Sequence, residues 1–213
     1  MICVSSPRIT SGAASISSLF QYRGLHVGGV DCGPMVVTGN FVRRSGYYAS
    51  APGGSANVIL GPGGSLPGRS LIANNMFIAL NSPEEFYGGL NQITMNHPTA
   101  KADVLHNSFN GVVNLSAGTS GLEELVFRNN IVSSNDRVLN LSWNSDNSTF
   151  ILDNNVYWSS NTALNNEWVR VNFDPLTLAQ LTATYGYDAA SAVTQPLFIA
   201  PDDLHLDTGN TFT

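Results

Sequence analysis

Apolar and polar residues alternate along four stretches of the chain in one shared frame. LIANNMF (71–77), VLHNSFN (104–110), VFRNNIV (126–132) and ILDNNVY (151–157) each place two apolar residues, a variable residue, Asn, then Asn or Ser, then an apolar residue. Alternation at period two predicts strands. Asparagine is a poor strand residue, so each Asn pair marks a point where a strand stops and the chain turns. VVTGNFV (36–42) is a degenerate copy with Gly39 at the leading Asn position. The leading positions are then Gly39, Asn74, Asn107, Asn129 and Asn154, at irregular spacings of 22 to 35 residues. A second motif lies between the copies of the first. VVNLS (112–116) and VLNLS (138–142) are nearly identical, and NVILG (57–61), NQITM (91–95) and WVRVN (168–172) fit the same frame.

Each period therefore holds two alternating strand segments joined by turns of variable length. Short strands repeating at such a period predict a solenoid, and the absence of an i, i+3, i+4 pattern inside the repeats makes it a β-helix. Asn tolerates the left-handed backbone region better than other non-glycine residues. Gly39 at the equivalent place fits, because glycine enters that region at little cost. Stacked coils set equivalent residues ~4.8 Å apart, which predicts a hydrogen-bonded ladder of Asn74, Asn107, Asn129 and Asn154. The coils are expected over 1–173 and a capping segment over 174–213. DPLTLAQLTA (174–183) predicts a short helix, with Asp174 as N-cap and Pro175 in the first helical position. CVSSP (3–7) reads as a strand entering a turn, with Ser5-Ser6 where the Asn pair belongs. On that register the chain opens in mid-coil, so an uncovered N-terminal coil is expected to self-associate.

The Asn-punctuated coils, together with the ending QPLFIAPDDLHLD (195–207), resemble the right-handed parallel β-helix proteins of the pectin-lyase-like type, over roughly residues 20–207. The resemblance implies an all-β, right-handed parallel β-helix solenoid of about five to six coils, with a C-terminal cap containing a short helix. It implies activity only weakly, because the same fold carries lyases, hydrolases and non-catalytic surface proteins.

Composition narrows the functions. Charged residues are 11% of the chain, against roughly 25% in an average soluble domain, and Asn, Ser, Thr and Gly take their place. A neutral polar surface of this kind points to an extracellular or cell-surface β-protein, although no signal peptide is visible. A net charge of −6 and a single lysine leave no basic stripe for nucleic acid. No apolar run is long enough to span a membrane. Cys3 and Cys32 stand in no metal-binding spacing, and nothing calls for a cofactor or a metal. The two cysteines lie about one coil apart, so they stack either as a disulfide or as two core thiols.

Three surfaces carry candidate chemistry. On the second motif Leu115, Leu141 and Val171 are expected to point inward. That turns Gln92, Asn114, Asn140 and Arg170, and Thr94, Ser116, Ser142 and Asn172, outward as a flat face of amides and hydroxyls able to meet sugar hydroxyls. On the Asn strands the outward columns are expected to be Leu71, Val104, Val126 and Ile151, and Ala73, His106, Arg128 and Asp153. The first is too apolar to stand uncovered; His106, Arg128 and Asp153 form a polar trio. Two loops, 43–55 and 79–89, leave one corner of successive coils and gather Arg43, Arg44, Tyr47, Tyr48, Glu84, Glu85, Phe86 and Tyr87. Rings beside charges make a sugar subsite. Glu84 and Glu85, adjacent in sequence, do not supply the opposed carboxylates of a glycosidase. The opposite corner gathers Arg69, His97 and Lys101. The family resemblance suggests these as a lyase-type centre, with Lys101 as base; pairing of Lys101 with Glu123 is the competing reading. Three functions follow as alternatives: a non-catalytic polysaccharide-binding module, a polysaccharide lyase or hydrolase fragment, and a structural segment of an adhesin or tail fibre.

Overall fold

The computed structural model describes residues 8–9, 25–28, 34–43, 56–61, 68–78, 90–143, 148–200 and 203–206. The alternating segments form short strands in three ranks, and each strand pairs in parallel with its equivalent in the next repeat. The first rank holds Arg8–Ile9, Val36–Thr38, Arg69–Ala73, 101–105, 124–128 and Phe150–Asp153. The second, just past the Asn pairs, holds Phe41–Arg43, Met76–Ile78, Ser108–Asn110, Ile131–Ser134, Val156–Ser159 and Ala192–Val193. The third holds Leu25–Gly28, Ala56–Gly61, 90–95, 112–117, Leu139–Trp143 and Val169–Val171. Leu90–Leu105 and Val112–Arg128 run unbroken from the third rank into the first, so these two ranks form one 11-stranded sheet. The second rank is a separate six-stranded sheet. The chain is all-β, built on parallel sheets.

The period-two pattern decides what faces inside. Val37, Ile72, Val104, Phe127 and Leu152 form one buried column of the first rank. Val42, Phe77, Phe109, Val132 and Tyr157 form another, on the second rank. Leu115, Leu141 and Val171, as expected, complete the core from the third rank together with Ile93. Phe109 stacks on Phe77 at 5.1 Å and on Phe127 at 5.9 Å between ring centres, which ties the first rank to the second.

The corner between these ranks corrects the expected asparagine register. Gly39, Asn74, His106, Asn129 and Asn154 occupy the left-handed positions, with φ between 55° and 66°. The following residues, Asn40, Asn75, Asn107, Asn130 and Asn155, form the ladder. Asn74, Asn129 and Asn154 are exposed, whereas Asn75, Asn107, Asn130 and Asn155 are each 1% exposed. HNS differs from ANN, RNN and DNN in placing His at the turn. Alignment on the first Asn therefore slips that repeat by one residue, and a one-residue slip exchanges the two faces of a strand. The outward first-rank column is consequently Val36, Leu71, Asp103, Val126 and Ile151, while Val104 is buried. Arg128 and Asp153 are neighbours, but Leu105 rather than His106 is the third member of their column.

Within the ladder every amide plays the same part. The backbone N–H and the Nδ2 of Asn107 both donate to Asn130 Oδ1 at 3.0 Å, and its Nδ2 also donates to Ile72 O at 3.0 Å. Asn75 and Asn130 repeat this with Asn107 and Asn155. At the last rung two residues divide the amide's role. Asn155 N–H donates to Ser191 Oγ at 2.8 Å, and Asn155 Nδ2 donates to Asp188 Oδ1 at 2.9 Å. Asp188 is buried and also accepts from the Tyr157 hydroxyl and from Ser191 Oγ. An ionised carboxylate only accepts, so it ends the chain of donors. Burial raises its pKa from the ordinary carboxylate value, and burial beside Asp188 raises that of Tyr157.

The expected helix begins later than its sequence suggested. Asp174–Leu176 turns back antiparallel against Val169–Val171 through a two-residue turn, Asn172-Phe173, in which both residues have positive φ. Pro175 lies on this last strand, an edge where a missing N–H costs no ladder bond. The helix is Leu178–Tyr185, with Thr177 as N-cap. Thr177 Oγ1 accepts from Gln180 N–H while Gln180 Oε1 accepts from Thr177 N–H. This is a capping box, legible as TLAQ and overlooked beside Asp174-Pro175. Leu181 is fully buried. The tail hairpin, Phe198–Ala200 with Asp203–Leu206, lies beside Ser108–Asn110 of the second rank. Arg8 and Ile9 pair with Val36 and Val37 in the first rank, and CVSSP (3–7) lies outside the described residues. Cys3 and Cys32 lie outside the described residues.

Candidate functional site

Arg69 and Lys101 are brought together, as partners in adjacent first-rank strands. Both are neutralised there. Arg69 bonds Asp103 at 2.6 Å and also Glu124; the bond to Glu124 contributes most to raising its pKa. Lys101 Nζ lies 2.5 Å from Glu123, the pairing expected as the competitor to a catalytic role. His97 Nδ1 pairs with Thr99 Oγ1 at 2.9 Å, and His97 joins neither ion pair. The chemistry of this surface is that of a cross-strand ionic staple.

Arg43 and Ile78 are partners at the ends of adjacent second-rank strands. Arg44, Tyr47, Tyr48, Glu84, Glu85, Phe86 and Tyr87 lie outside the described residues.

The third rank holds the expected polar face. Gln92, Asn114, Asn140 and Arg170 stand in one register, and Thr94, Ser116 and Ser142 in the next. All are half-buried. Gln92 Nε2 donates to Thr94 Oγ1 at 2.8 Å, and Thr94 and Ser116 hydroxyls pair at 2.8 Å. Bonding within the face fades toward the last repeats. Among the described residues Asn140 Oδ1 and Arg170 Nε are buried atoms with no hydrogen-bond partner.

Two further orphans adjoin them, Arg137 Nε and Trp168 Nε1. Backbone pairing brings their segments side by side. Val138 N–H donates to Trp168 O at 2.9 Å, and Leu139 and Asn140 pair with Val169 and Arg170. The neighbouring turn closes the corner: Ser159 Oγ donates to Asp136 O at 2.7 Å, and Trp158 meets Trp168 edge to face with ring centres 5.8 Å apart. Thus, among the described residues, four of the five orphaned buried side-chain atoms fall within 137–140 and 168–170. Sequence reasoning found Asn140 and Arg170 through the strand pattern. It passed over Arg137, Trp158 and Trp168, because the frame WVRVN treats Trp168 as ordinary strand and NDR reads as a turn. The signal available was two tryptophans and two arginines close to the third-rank strands of the last two repeats.

Among the described residues no group of three or more His, Cys, Asp and Glu side chains could hold a metal ion, and no helix is long and apolar enough to cross a membrane. The chain matches no protein-family model, no curated protein and no solved structure.

Proposed function

We propose that this chain is part of a right-handed parallel β-helix of the pectin-lyase-like type, of about five to six coils, acting outside the cell or at its surface as a polysaccharide-binding module without catalysis of its own. The observation that carries the reading is the outward third-rank face. Amides and hydroxyls stand there in register, and at Asn140 and Arg170 their bonding capacity is unspent. A buried polar atom without a partner costs about 1–3 kcal/mol, a cost that a bound ligand removes. Ring hydroxyls of a saccharide chain offer donors and acceptors at comparable repeats. The three-rank parallel architecture and the continuous ladder support the fold assignment.

A lyase needs a base able to take a proton, and Lys101 is held by Glu123 while Arg69 is held by two carboxylates. Binding without cleavage is therefore the better reading. A glycan array tests it, run beside an ultraviolet assay for unsaturated products. We expect retention of at least one polysaccharide, weakened tenfold or more by Asn140→Ala with Asn114→Ala, and no product. Product formation abolished by Lys101→Met would establish the lyase alternative. Retention untouched by the double variant would move the site off this face.

A further inference from the structure

We propose that residues 186–195 form a proton-controlled latch over the end of the asparagine ladder, held closed by the Asp188 carboxyl while it carries a proton and loosened when that carboxyl ionises. Asp188 is the only buried residue of this stretch. The stretch is flanked by two buried apolar residues, Leu181 and Pro196. Between them the side chain that enters the molecule is an acid, 2% exposed. An apolar residue there would grip at every pH; a carboxyl grips less well once it is charged, because burying a charge costs far more than burying a neutral group. What it holds is the last rung. Its N–H donates to Leu152 O at 2.8 Å. Its oxygens accept from Asn155 Nδ2, Ser191 Oγ and the Tyr157 hydroxyl at 2.9, 2.6 and 3.1 Å. Ser191 Oγ in turn accepts from Asn155 N–H, and Ala192 N–H donates to Asn155 O, both at 2.8 Å. Ala192 and Val193 thereby lie parallel on Val156 and Tyr157, yet both are exposed, so backbone bonds rather than burial keep them there. Loosening uncovers Asn155 and the edge of the Val156–Ser159 strand. The device is independent of what the third-rank face binds.

The groups around the carboxyl do not neutralise it. The second-rank strand Val156–Ser159 presents Tyr157, and the first-rank strand Phe150–Asp153 ends in Asp153, itself in register with Arg128. The helix Leu178–Tyr185 carries no charged residue, and the latch adds only Tyr187. Among the described residues the charge that acts on Asp188 is that of Asp153, which is also negative. Three neutral donors favour the ionised form, but burial outweighs them and raises the pKa, and Asp153 adds to the rise. The closed latch therefore binds the proton more tightly than the open one, and opening releases it. Closure is at its firmest below the ordinary carboxylate range and weakens as pH rises to the closed-state value, by up to tenfold per pH unit for one proton. Above that value both forms are ionised and the weakening stops.

Native-state amide hydrogen exchange of the full chain, corrected for the intrinsic pH dependence of exchange, reads the latch directly. The reporters are the N–H groups of Asp188 and Ala192, bonded to Leu152 O and Asn155 O; the control is the N–H of Asn107, in the middle of the ladder. We expect protection of the two reporters to fall as pH rises from the ordinary carboxylate range, approaching tenfold per unit before it levels off, while Asn107 keeps its protection. Asp188→Asn should abolish that fall and leave the reporters at least as protected at neutral pH as wild type is in acid. Tyr157→Phe deletes one donor to the ionised carboxylate and nothing else, so the fall should move to higher pH. A merely structural role for the hydroxyl would lower protection without moving its pH dependence. Reporter protection that is constant with pH overturns the proposal. So does a parallel loss at Asn107, which makes the effect global unfolding rather than a latch. A pH-dependent fall that survives Asp188→Asn assigns the proton to another group, such as Asp153, and overturns it as well.

Discussion

The chain handles buried polarity in opposite ways at two of its corners. Between the first and second ranks, each ladder amide from Asn75 to Asn155 both donates and accepts, and the series ends on an acceptor-only carboxylate. At the edge of the third rank in the last two repeats, three donors and one acceptor are buried and unmatched. Both corners hold polar side chains in the same repeats, so local composition does not separate them. What separates them is closure of the hydrogen-bond account. A closed network holds coils together; an open one leaves desolvated groups without that return.

Deleting a ladder rung should have the largest effect. Asn107→Ala removes an acceptor serving both Asn75 N–H and Asn75 Nδ2, and its own bonds to Ile72 O and Asn130 Oδ1. Several buried groups are stranded at about 1–3 kcal/mol each, so a total loss on the order of 3 kcal/mol is expected from urea unfolding. Asn129→Ala is the control. Asn129 is exposed and supplies only a left-handed turn, worth ~1 kcal/mol. Equal losses in the two variants would show that the turn, not the ladder, holds this corner.

Asp188 tests how the ladder ends. Its carboxyl is raised by burial, so the folded state binds the proton more tightly than the unfolded chain does. Its contribution to stability is therefore complete below the ordinary carboxylate range and is lost as pH rises through the folded-state value. Asp188→Asn can still accept from Asn155 Nδ2 while the Tyr157 hydroxyl turns to accept. It should remove that pH dependence and gain up to ~1 kcal/mol at neutral pH. A difference in melting temperature from wild type that stays constant across acid and neutral pH would show that Asp188 does not titrate within the ladder's stability.

Phe173 offers a further comparison, since it holds a left-handed backbone without any ladder. Its φ is 76°, and the side chain is 85% exposed. Bulky residues enter this region at a cost of ~1–2 kcal/mol. Phe173→Gly should relieve that strain, offset by glycine's greater freedom when unfolded, for a net gain of up to ~1 kcal/mol. A loss in thermal unfolding would reveal that the ring makes a stabilising contact.

How much of this was legible follows from which physics each feature depends on. Period-two alternation reports burial directly, so the inward Leu115, Leu141 and Val171 and the outward Gln92, Asn114, Asn140 and Arg170 could be read from sequence. The Asn corner was legible as a corner, but not which Asn faces inward. His106 at a left-handed position hides the register, and one residue of slip moves Val104 from the core to the surface. The helix start was obscured because Asp174-Pro175 mimics a helix entry, while the turn at Asn172-Phe173 sends those residues into an edge strand. The orphaned corner was the least legible. Whether Trp168 Nε1 finds a partner depends on contacts across repeats, which neither periodicity nor residue type reports.

The smallest effect sharpens the comparison most. Trp168→Phe deletes a buried indole N–H, as Asn107→Ala deletes a buried amide, but this N–H has no partner to strand. Removing an unmet donor recovers about 1–3 kcal/mol of desolvation cost. The smaller phenyl ring gives up a comparable amount in packing against Trp158 and the core. The two nearly cancel, so unfolding free energy in ligand-free buffer should change by less than ~1 kcal/mol, although Trp168 belongs to the buried core cluster. A loss near 3 kcal/mol, matching the ladder variant, would mean that the indole already has a partner inside the folded chain. The contrast between a closed corner and an open one would then fail.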